Sequence, residues 1–238
     1  MRQIWRHLAF LHWPVEAAAV ARLLPPGLDV DLFEGVAYVG IVPFTIPVTQ
    51  VAGVSARIAP AFHEINLRTY VHRGGRDPGV WFYSLDAASR LAVAGARLGY
   101  GLPYFAAGIT LAEEGDWIAY RSRRLAAGAN FQARYQPSGA VVAAPAGTLE
   151  FFLAERYMLY SRPRRRLRTA RVHHAPYPLQ PAAATDVAQT LTTVAGLPAA
   201  ACAGPPPLVH YAREVDVRIY GPRRPESGHR LDNPPAVR

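Results

Sequence analysis

The residues of this chain best suited to hold an anionic ligand lie in one short segment, residues 63–86. Its first ten residues, HEINLRTYVH, alternate in polarity with a period of two, which is typical of a β-strand. Asn66, Arg68 and Tyr70 therefore share one face of that strand. The planar guanidinium of Arg68 can bind both oxygens of a carboxylate, and the neighbouring amide can hydrogen-bond the rest of a ligand. The pattern predicts a site for a small anion.

A glycine-rich turn predicts that this strand pairs with the segment after it. Residues 73–79 read RGGRDPG, and residue 73 is expected opposite residue 79. In that register Arg68 lies opposite Ser84 and diagonally across from Asp86. A lone guanidinium would be costly to bury without a partner, so an Arg68–Asp86 pair is expected on the inward face of the sheet. Ser84 joins Asn66 and Arg68 as a predicted ligand-binding residue.

Three residues are candidates for proton transfer if this site is catalytic. Tyr70 and Asp86 belong to the predicted hairpin, and Tyr104 follows a Gly-Leu-Pro turn at residues 101–103. A structural reading stays open beside the functional one. An ion pair between Arg68 and Asp86 could serve only to stabilise the fold, because structural ion pairs also resemble active sites.

The composition removes one class of chemistry. All 26 basic residues are arginine, and the 238-residue sequence contains no lysine. A decarboxylase or aldolase that forms a Schiff base on a lysine side chain is therefore excluded. Whether the protein is an enzyme at all is left undecided by the sequence.

The densest run of positive charge extends from Arg162 to Arg171, within a chain of net charge +9. Such a run can contact an anionic partner, or it can protect a solvated strand edge from pairing with other chains. No known nucleic-acid-binding motif accompanies it, so a nucleic-acid partner is not expected. A homo-oligomer is compatible with the sequence.

Motifs for metals, cofactors and membranes are missing from the sequence. There is no His-x-His, Cys-x-x-Cys or His-Glu-x-x-His pattern and no glycine-rich dinucleotide fingerprint, so neither a metal nor a cofactor is predicted. The longest uncharged segments are interrupted by proline and glycine, which argues against a membrane span. Cys202 is the only cysteine, which fits a reducing compartment. We therefore expect a cytoplasmic protein.

Many short strand-like segments, separated by proline and glycine, favour a mainly β protein of the α+β class. Helices are predicted over residues 14–24, 87–100 and 148–160, with a weaker one over residues 185–195. A single barrel-like domain is expected over residues 1–220. Residues 221–238 lack apolar periodicity and are predicted to be a disordered tail.

Several phrases of the sequence carry a resemblance to a known family. In order along the chain they are FLHWPVE, LLPPGLDVDLFEGVAYVGIVPF, INLRTYV, GVWFYSLDA, GLPYF, LEFFLAERYMLY and HHAPYPL. Together they resemble the YqjF-like family of uncharacterised bacterial proteins, over roughly residues 5–220. That resemblance implies a fold similar to acetoacetate decarboxylase, a strongly curved antiparallel sheet forming a barrel around a small apolar cavity, with a few short peripheral helices.

In acetoacetate decarboxylase a catalytic lysine follows a Gly-x-Pro turn. In this chain the comparable turn, Gly101-Leu102-Pro103, is followed by Tyr104 and Phe105, and neither residue is a lysine. The first functional hypothesis is a small-molecule-binding barrel, with or without catalysis on a small carboxylate or keto compound, acting without Schiff-base chemistry. The alternative is a non-catalytic sensor or interaction protein that uses the cavity or the arginine run.

Overall fold

The computed structural model describes residues 1–51, 60–126 and 128–225, and strands dominate these ranges. The strands are β1 (Arg2–Val15), β2 (Asp29–Val30), β3 (Ala37–Gln50), β4 (Phe62–Arg73), β5 (Arg76–Ala87), β6 (Tyr104–Glu114), β7 (Trp117–Arg124), β8 (Asn130–Pro137), β9 (Met158–Ser161), β10 (Arg168–His173), β11 (Leu179–Gln189) and β12 (Leu208–Ile219). The helices are α1 (Ala17–Ala21), α2 (Arg90–Tyr100), α3 (Leu149–Ala154) and α4 (Leu191–Val194), with short 3-10 helices at Pro163–Arg165 and Ala199–Cys202.

The twelve strands of the described ranges belong to one hydrogen-bonded sheet that returns on itself in two circuits. The first circuit runs through β5, β6, β7, β8, β11, β12, β1, β3 and β4 and closes by pairing β4 with β5. The second runs from β5 through β9 and β10 to β12, and then returns through β1, β3 and β4. Pairing is antiparallel except where β5 meets β6 and β9. The predicted mainly β fold with a strongly curved, ring-like sheet is confirmed.

The strands shared by both circuits divide the interior into two cores. Along β1, Leu8 and Phe10 point into one core, and Ala9 and Leu11 point into the other, because side chains alternate along a strand. The core around Phe10, here called the cavity-side core, also receives residues from α2, α3, β9 and β10. The second core lies between β1, β3 and β4 on one side and β7 and β8 on the other. Among the shared strands, β3 and β4 are therefore buried on both faces over most of their length.

The predicted register of the β4–β5 hairpin is wrong. Arg73 pairs with Arg76 across a tight turn, in which Gly74 and Gly75 both adopt positive φ, at 56° and 74°. Two glycines with left-handed backbone allow a two-residue hairpin, which is shorter than the turn expected from sequence.

A second irregularity in this hairpin changes which side chains share a face. Arg68 pairs with Phe82 and Leu67 pairs with Ser84, so Tyr83 is an extra residue in β5. One extra residue in a strand turns every side chain beyond it to the opposite face of the sheet from the one that regular pairing would give. Consequently Asp86, which pairs with Ile65, projects to the opposite face from Arg68.

Other local predictions also need correction. Residues 185–189 belong to strand β11, which pairs with β8, and only residues 191–194 are helical. The helix expected over residues 148–160 ends at Ala154 and is followed by strand β9. The helix expected over residues 14–24 covers only Ala17–Ala21, because the segment before it belongs to β1. In each case pairing with a distant strand overrides the local helical preference.

Helix α2 lies where it was predicted, but its packed face differs from expectation. The helical spacing of Leu91 and Leu98 in the sequence predicts that both lie on the packed face, yet they are 65% and 89% exposed. Val93 is buried, and the small residues Ala92, Gly95 and Ala96 line a cavity beneath the helix. The helix therefore covers the cavity with its small side chains.

The C-terminal segment is only partly described. Thr169 and Arg223 exchange two backbone hydrogen bonds, of 2.9 and 2.7 Å, so pairing reaches into the predicted tail. Residues 226–238 lie outside the described residues, and the division into one domain over residues 1–220 stays a prediction.

In the arginine run, Arg164, Arg165 and Arg166 are exposed. No helix within the described ranges is both long and apolar enough to span a bilayer.

Gly79 provides a test of the parallel contact between β5 and β9. A Cβ at this position would lie 2.6 Å from the backbone oxygen of Met158. We expect Gly79→Ala to destabilise the fold by about 1–3 kcal/mol, because backbone atoms would have to separate. That loss corresponds to a melting temperature about 2–4 °C lower per kcal/mol.

Gly108→Ala is the matched control, since a Cβ there meets no atom within 4 Å. Its stability should stay within about 0.5 kcal/mol of the parent protein. Equal melting temperatures for Gly79→Ala and Gly108→Ala would show that β5 and β9 do not pack this closely.

Candidate functional site

A cavity of about 390 Å³ lies within the second strand circuit, beneath α2. Most of its wall is apolar, as expected for a small-molecule site. Three polar residues of the wall come from a single strand: Glu64, Asn66 and Arg68 alternate along one face of β4, and all three line the cavity. This row is here called the β4 polar row.

Arg68 is a buried cation whose partners are all neutral. Its Nη2 donates to the backbone oxygen of Leu153 at 2.9 Å and to the hydroxyl of Tyr70 at 3.4 Å. Its Cζ lies 5.5 Å from the centre of the Phe10 ring. Nε is buried without a hydrogen-bond partner. Among the described residues no carboxylate lies within ion-pair distance of this guanidinium.

Helix α3 supplies the carbonyl that holds Arg68. The last carbonyls of a helix have no partner within it, and they carry the negative end of the peptide dipoles. Leu153 lies at this end, and its oxygen also accepts a hydrogen bond from the Tyr70 hydroxyl at 2.7 Å. Because α3 ends at Ala154, the Leu153 oxygen is available to Arg68 and Tyr70. In a longer helix this oxygen would accept a hydrogen bond from a backbone N–H of the next turn.

Tyr70 lies behind Arg68 and connects it to a buried histidine. Nε2 of His12 lies 2.6 Å from the Tyr70 oxygen. Since the Tyr70 hydroxyl donates to Leu153, His12 donates its Nε2 proton, and its Nδ1 has no partner. Burial, reinforced by the charge of Arg68, holds the pKa of His12 well below its usual value. The ring is therefore neutral and adds no positive charge.

A second arginine at the cavity has its own counter-ion. Nη1 of Arg156 lies 2.7 Å from the carboxylate of Asp31, and Nε donates to the backbone oxygen of Phe152 at 2.7 Å. Its guanidinium also lies over the Phe152 ring, 4.1 Å from the centre. Arg156 therefore differs from Arg68, whose charge is uncompensated.

The opposite end of the β4 polar row carries a carboxyl group in an apolar setting. Tyr104 donates to Oε2 of Glu64 at 2.9 Å, and both residues line the cavity. Burial raises the pKa of Glu64 to about 8, although the Tyr104 hydrogen bond opposes the shift and the charge of Asp86 adds to it. At neutral pH this carboxyl is therefore mostly protonated and does not cancel the charge of Arg68.

Asn66, between these two residues, has an unused polar atom. Its Oδ1 is buried and makes no hydrogen bond. Buried polar atoms are usually satisfied by protein or water, so this oxygen is an unusual feature of the site. Asn66 lines the cavity, and its amide NH₂ group can donate to an oxygen atom of a bound molecule. The cavity thus presents a cation, an amide and a neutral carboxyl in sequence along one strand.

Two predicted site residues lie elsewhere. Ser84 and Asp86 are buried but face away from the β4 polar row, beyond the bulge at Tyr83. The carboxylate of Asp86 binds Arg124, whose Nη2 lies 2.8 Å from Oδ1, and the Phe105 ring lies 3.9 Å from that guanidinium. The expected Arg68–Asp86 pair is therefore wrong. The geometry gives Ser84 and Asp86 no direct contact with a ligand in this cavity.

Glu64 is the main site residue that sequence reasoning missed. It shares the period-two face of Asn66 and Arg68, so alternation alone could have identified it. His12 and Leu153 could not have been identified in this way, because only the folded chain brings them to Tyr70. Within the described ranges, no three histidine, cysteine, aspartate or glutamate side chains cluster as a metal site would require.

Comparison with known proteins places the chain in a family. Residues 2–216 match the DUF2071 family, which is described as an uncharacterized conserved protein. The chain belongs to this family. It is also 38% identical, over 231 residues, to "Uncharacterized protein YqjF" of Bacillus subtilis (strain 168), with 94% of this chain and 92% of that protein covered. The YqjF-like resemblance is confirmed.

Solved structures of similar fold are acetoacetate decarboxylase-like proteins. The acetoacetate decarboxylase of Legionella pneumophila matches with a TM-score of 0.63 at 15% identity, over 92% of this chain and 85% of its own. An acetoacetate decarboxylase-like enzyme from Sphingomonas wittichii RW1 gives 0.62 at 16% identity, over 94% and 92%. The enduracididine biosynthesis enzyme MppR, complexed with the condensation product of pyruvate and imidazole 4-carboxaldehyde, gives 0.65 at 14% identity, over 93% and 88%. At these identities the likeness shows the fold.

The raised pKa of Glu64 predicts a specific pH dependence of stability. The folded state favours the protonated carboxyl up to about pH 8, and the unfolded state only up to its ordinary value near 4.5. The free energy of unfolding of the parent protein should therefore fall as pH rises through this window. Relative to Glu64→Gln, we expect a loss of up to about 1.4 kcal/mol per pH unit.

Urea unfolding of both proteins at several pH values between 5 and 8 measures this difference. The control is Glu155→Gln, which makes the same chemical change at a different carboxyl group. Glu155 accepts hydrogen bonds from the backbone of Tyr177 and from the hydroxyl of Tyr157. Parallel stability curves for the parent protein and Glu64→Gln would show that Glu64 ionises normally in the folded state.

Proposed function

We propose that this protein binds a small organic carboxylate in the cavity, with Arg68 as the anchor. One observation carries the proposal: the Arg68 guanidinium is buried in the cavity wall and has no carboxylate partner among the described residues. Buried charges in proteins are normally paired, because removal from water is costly. A bound carboxylate would provide the missing counter-charge.

The surroundings of Arg68 favour an anion over a neutral ligand. Its two hydrogen-bonded partners, the Leu153 carbonyl and the Tyr70 hydroxyl, occupy only Nη2. The planar fork of an arginine has five N–H donors, so donors remain for two carboxylate oxygens. Because Glu64 is mostly protonated at neutral pH and Arg156 is paired with Asp31, the field within the cavity is positive.

The rest of the cavity indicates the size and character of the ligand. A volume of about 390 Å³ suits a small molecule. Val80, Phe82 and Leu85 on β5 offer an apolar surface to its hydrocarbon part. Among the proteins of similar fold, MppR binds pyruvate, a small keto acid, in one of its solved complexes. A keto acid or a related carboxylate therefore fits both the anchor and the fold.

Asn66 is the second predicted ligand-binding residue that this proposal retains, since it belongs to the cavity wall and its amide NH₂ group can donate to a ligand oxygen. Tyr70 acts indirectly, by holding Arg68 in place. Any chemistry performed on the ligand proceeds without a lysine imine, because the sequence has no lysine. A non-catalytic sensor would use the same anchor, so binding is tested apart from turnover.

Replacing Arg68 by methionine tests the anchor. Arg68→Met keeps a long side chain but removes the charge and the donors. We expect the affinity for pyruvate, 4-oxopentanoate or pentanoate, measured by isothermal titration calorimetry, to fall about 10- to 150-fold, since a charged hydrogen bond contributes about 1.5–3 kcal/mol. Arg213→Met, at an exposed arginine of β12, is the control and should bind like the parent protein.

Melting temperatures of both variants show whether they are folded. Arg68→Met should be at least as stable as the parent protein, because the substitution removes an unpaired buried charge. Unchanged affinity in Arg68→Met for every carboxylate that binds the parent protein would contradict the proposed anchor.

A further inference from the structure

We propose that the Glu64–Tyr104 pair catalyses proton exchange at the carbon next to the carbonyl group of a bound keto acid, through an enolate. A lysine side chain can activate a bound carbonyl group as an imine, but that route is closed to this lysine-free chain. Proton exchange at Glu64 presupposes carboxylate binding at Arg68, the proposed function. It adds a reaction and a catalytic base to that function.

The β4 polar row provides the geometry for this reaction. Glu64, Asn66 and Arg68 lie two residues apart on one face of a strand, so neighbouring Cα atoms in the row are about 7 Å apart and the ends about 13 Å. A keto acid whose carbonyl carbon lies three bonds beyond its carboxylate carbon, as in 4-oxopentanoate, can be held by its carboxylate at Arg68 and extend along this row. Its carbonyl group then comes to Asn66, and the adjacent carbon comes to Glu64.

The setting of Glu64 makes its carboxylate a suitable base. A carboxylate surrounded by apolar groups is poorly solvated and therefore binds a proton more strongly than in water. The pKa of Glu64, raised to about 8 by burial, is close to physiological pH, where proton transfer by a general base is most efficient. Tyr104 orients the carboxyl through its 2.9 Å hydrogen bond.

The step balances without any further reactant. The carboxylate of Glu64 takes the proton from the carbon, and the C–H electron pair forms a carbon–carbon double bond. The electron pair of the carbonyl π bond moves to oxygen, which becomes the enolate oxygen and accepts a hydrogen bond from the amide NH₂ of Asn66. Return of a proton from Glu64 to the same carbon restores the keto acid. In D₂O, Glu64 exchanges the abstracted proton for a deuteron from the solvent before the return, and the carbon then receives that deuteron.

Several groups around Glu64 set the pH profile of this reaction. Tyr104 on β6 lowers the pKa of Glu64 through its hydrogen bond, and Asp86 on β5 raises it through its charge, which Arg124 on β7 partly offsets. Tyr120 on β7 donates to the backbone oxygen of Glu64 at 2.8 Å. The remaining charged or titratable neighbours on β4 are His63 and Arg68. Exchange should rise with pH as Glu64 ionises and level off above about pH 8.

Proton NMR of 4-oxopentanoate in D₂O tests the proposal with the full-length protein. We expect the protein to accelerate the loss of the C–H signals next to the carbonyl. Glu64→Gln should lower this acceleration by about 100-fold or more, the usual contribution of a general base. Glu155→Gln, at a carboxyl that binds Tyr157 and the Tyr177 backbone, should exchange like the parent protein.

Tyr104→Phe provides a second variant that does not depend on removing the base. Loss of the Tyr104 hydrogen bond should move the midpoint of the exchange profile to higher pH, since that bond lowers the pKa of Glu64. A midpoint equal to that of the parent protein would overturn the proposed role of the pair.

Binding measured on the same samples separates the two proposals. A keto acid that binds at Arg68 without accelerated exchange would overturn the proton-exchange reaction and leave the proposed function standing. Exchange that survives in Glu64→Gln would overturn the assignment of the base. Equal binding in Arg68→Met and the parent protein would overturn the proposed function itself.

Discussion

The feature on which the rest of the site depends is the burial of Arg68 without a carboxylate partner. Its charge is held by two neutral oxygens, from Leu153 and Tyr70, and by the faces of nearby aromatic rings. Such partners orient a guanidinium but compensate its charge only in part. The fold therefore holds an unsatisfied cation at a cavity wall, which marks this site as a candidate for binding or catalysis.

The two-core architecture explains why the polar residues of β4 collect in one row. β4 is covered on both faces, so Ile65 and Leu67 fill the second core while Glu64, Asn66 and Arg68 face the cavity. In an ordinary two-layer sheet such polar side chains would meet water. Here they line an apolar cavity, where low polarity strengthens electrostatic effects and raises the pKa of Glu64.

Period-two alternation correctly predicted that Asn66, Arg68 and Tyr70 share a face of β4, and composition correctly indicated a mainly β fold. The partner of Arg68 was beyond sequence reasoning for two physical reasons. The bulge at Tyr83 reverses the faces of Ser84 and Asp86, and a bulge has no reliable local signature. The actual partner, the carbonyl of Leu153, is a backbone atom whose availability depends on where α3 ends.

A crystal structure of the protein grown with a small carboxylate, such as 4-oxopentanoate, tests the central claim most directly. We predict that the carboxylate occupies the cavity, with its oxygens about 3 Å from the guanidinium nitrogens of Arg68 and its chain directed toward Asn66 and Glu64. A bound carboxylate found away from Arg68, with the Arg68 guanidinium contacting only Leu153 and Tyr70, would contradict the account.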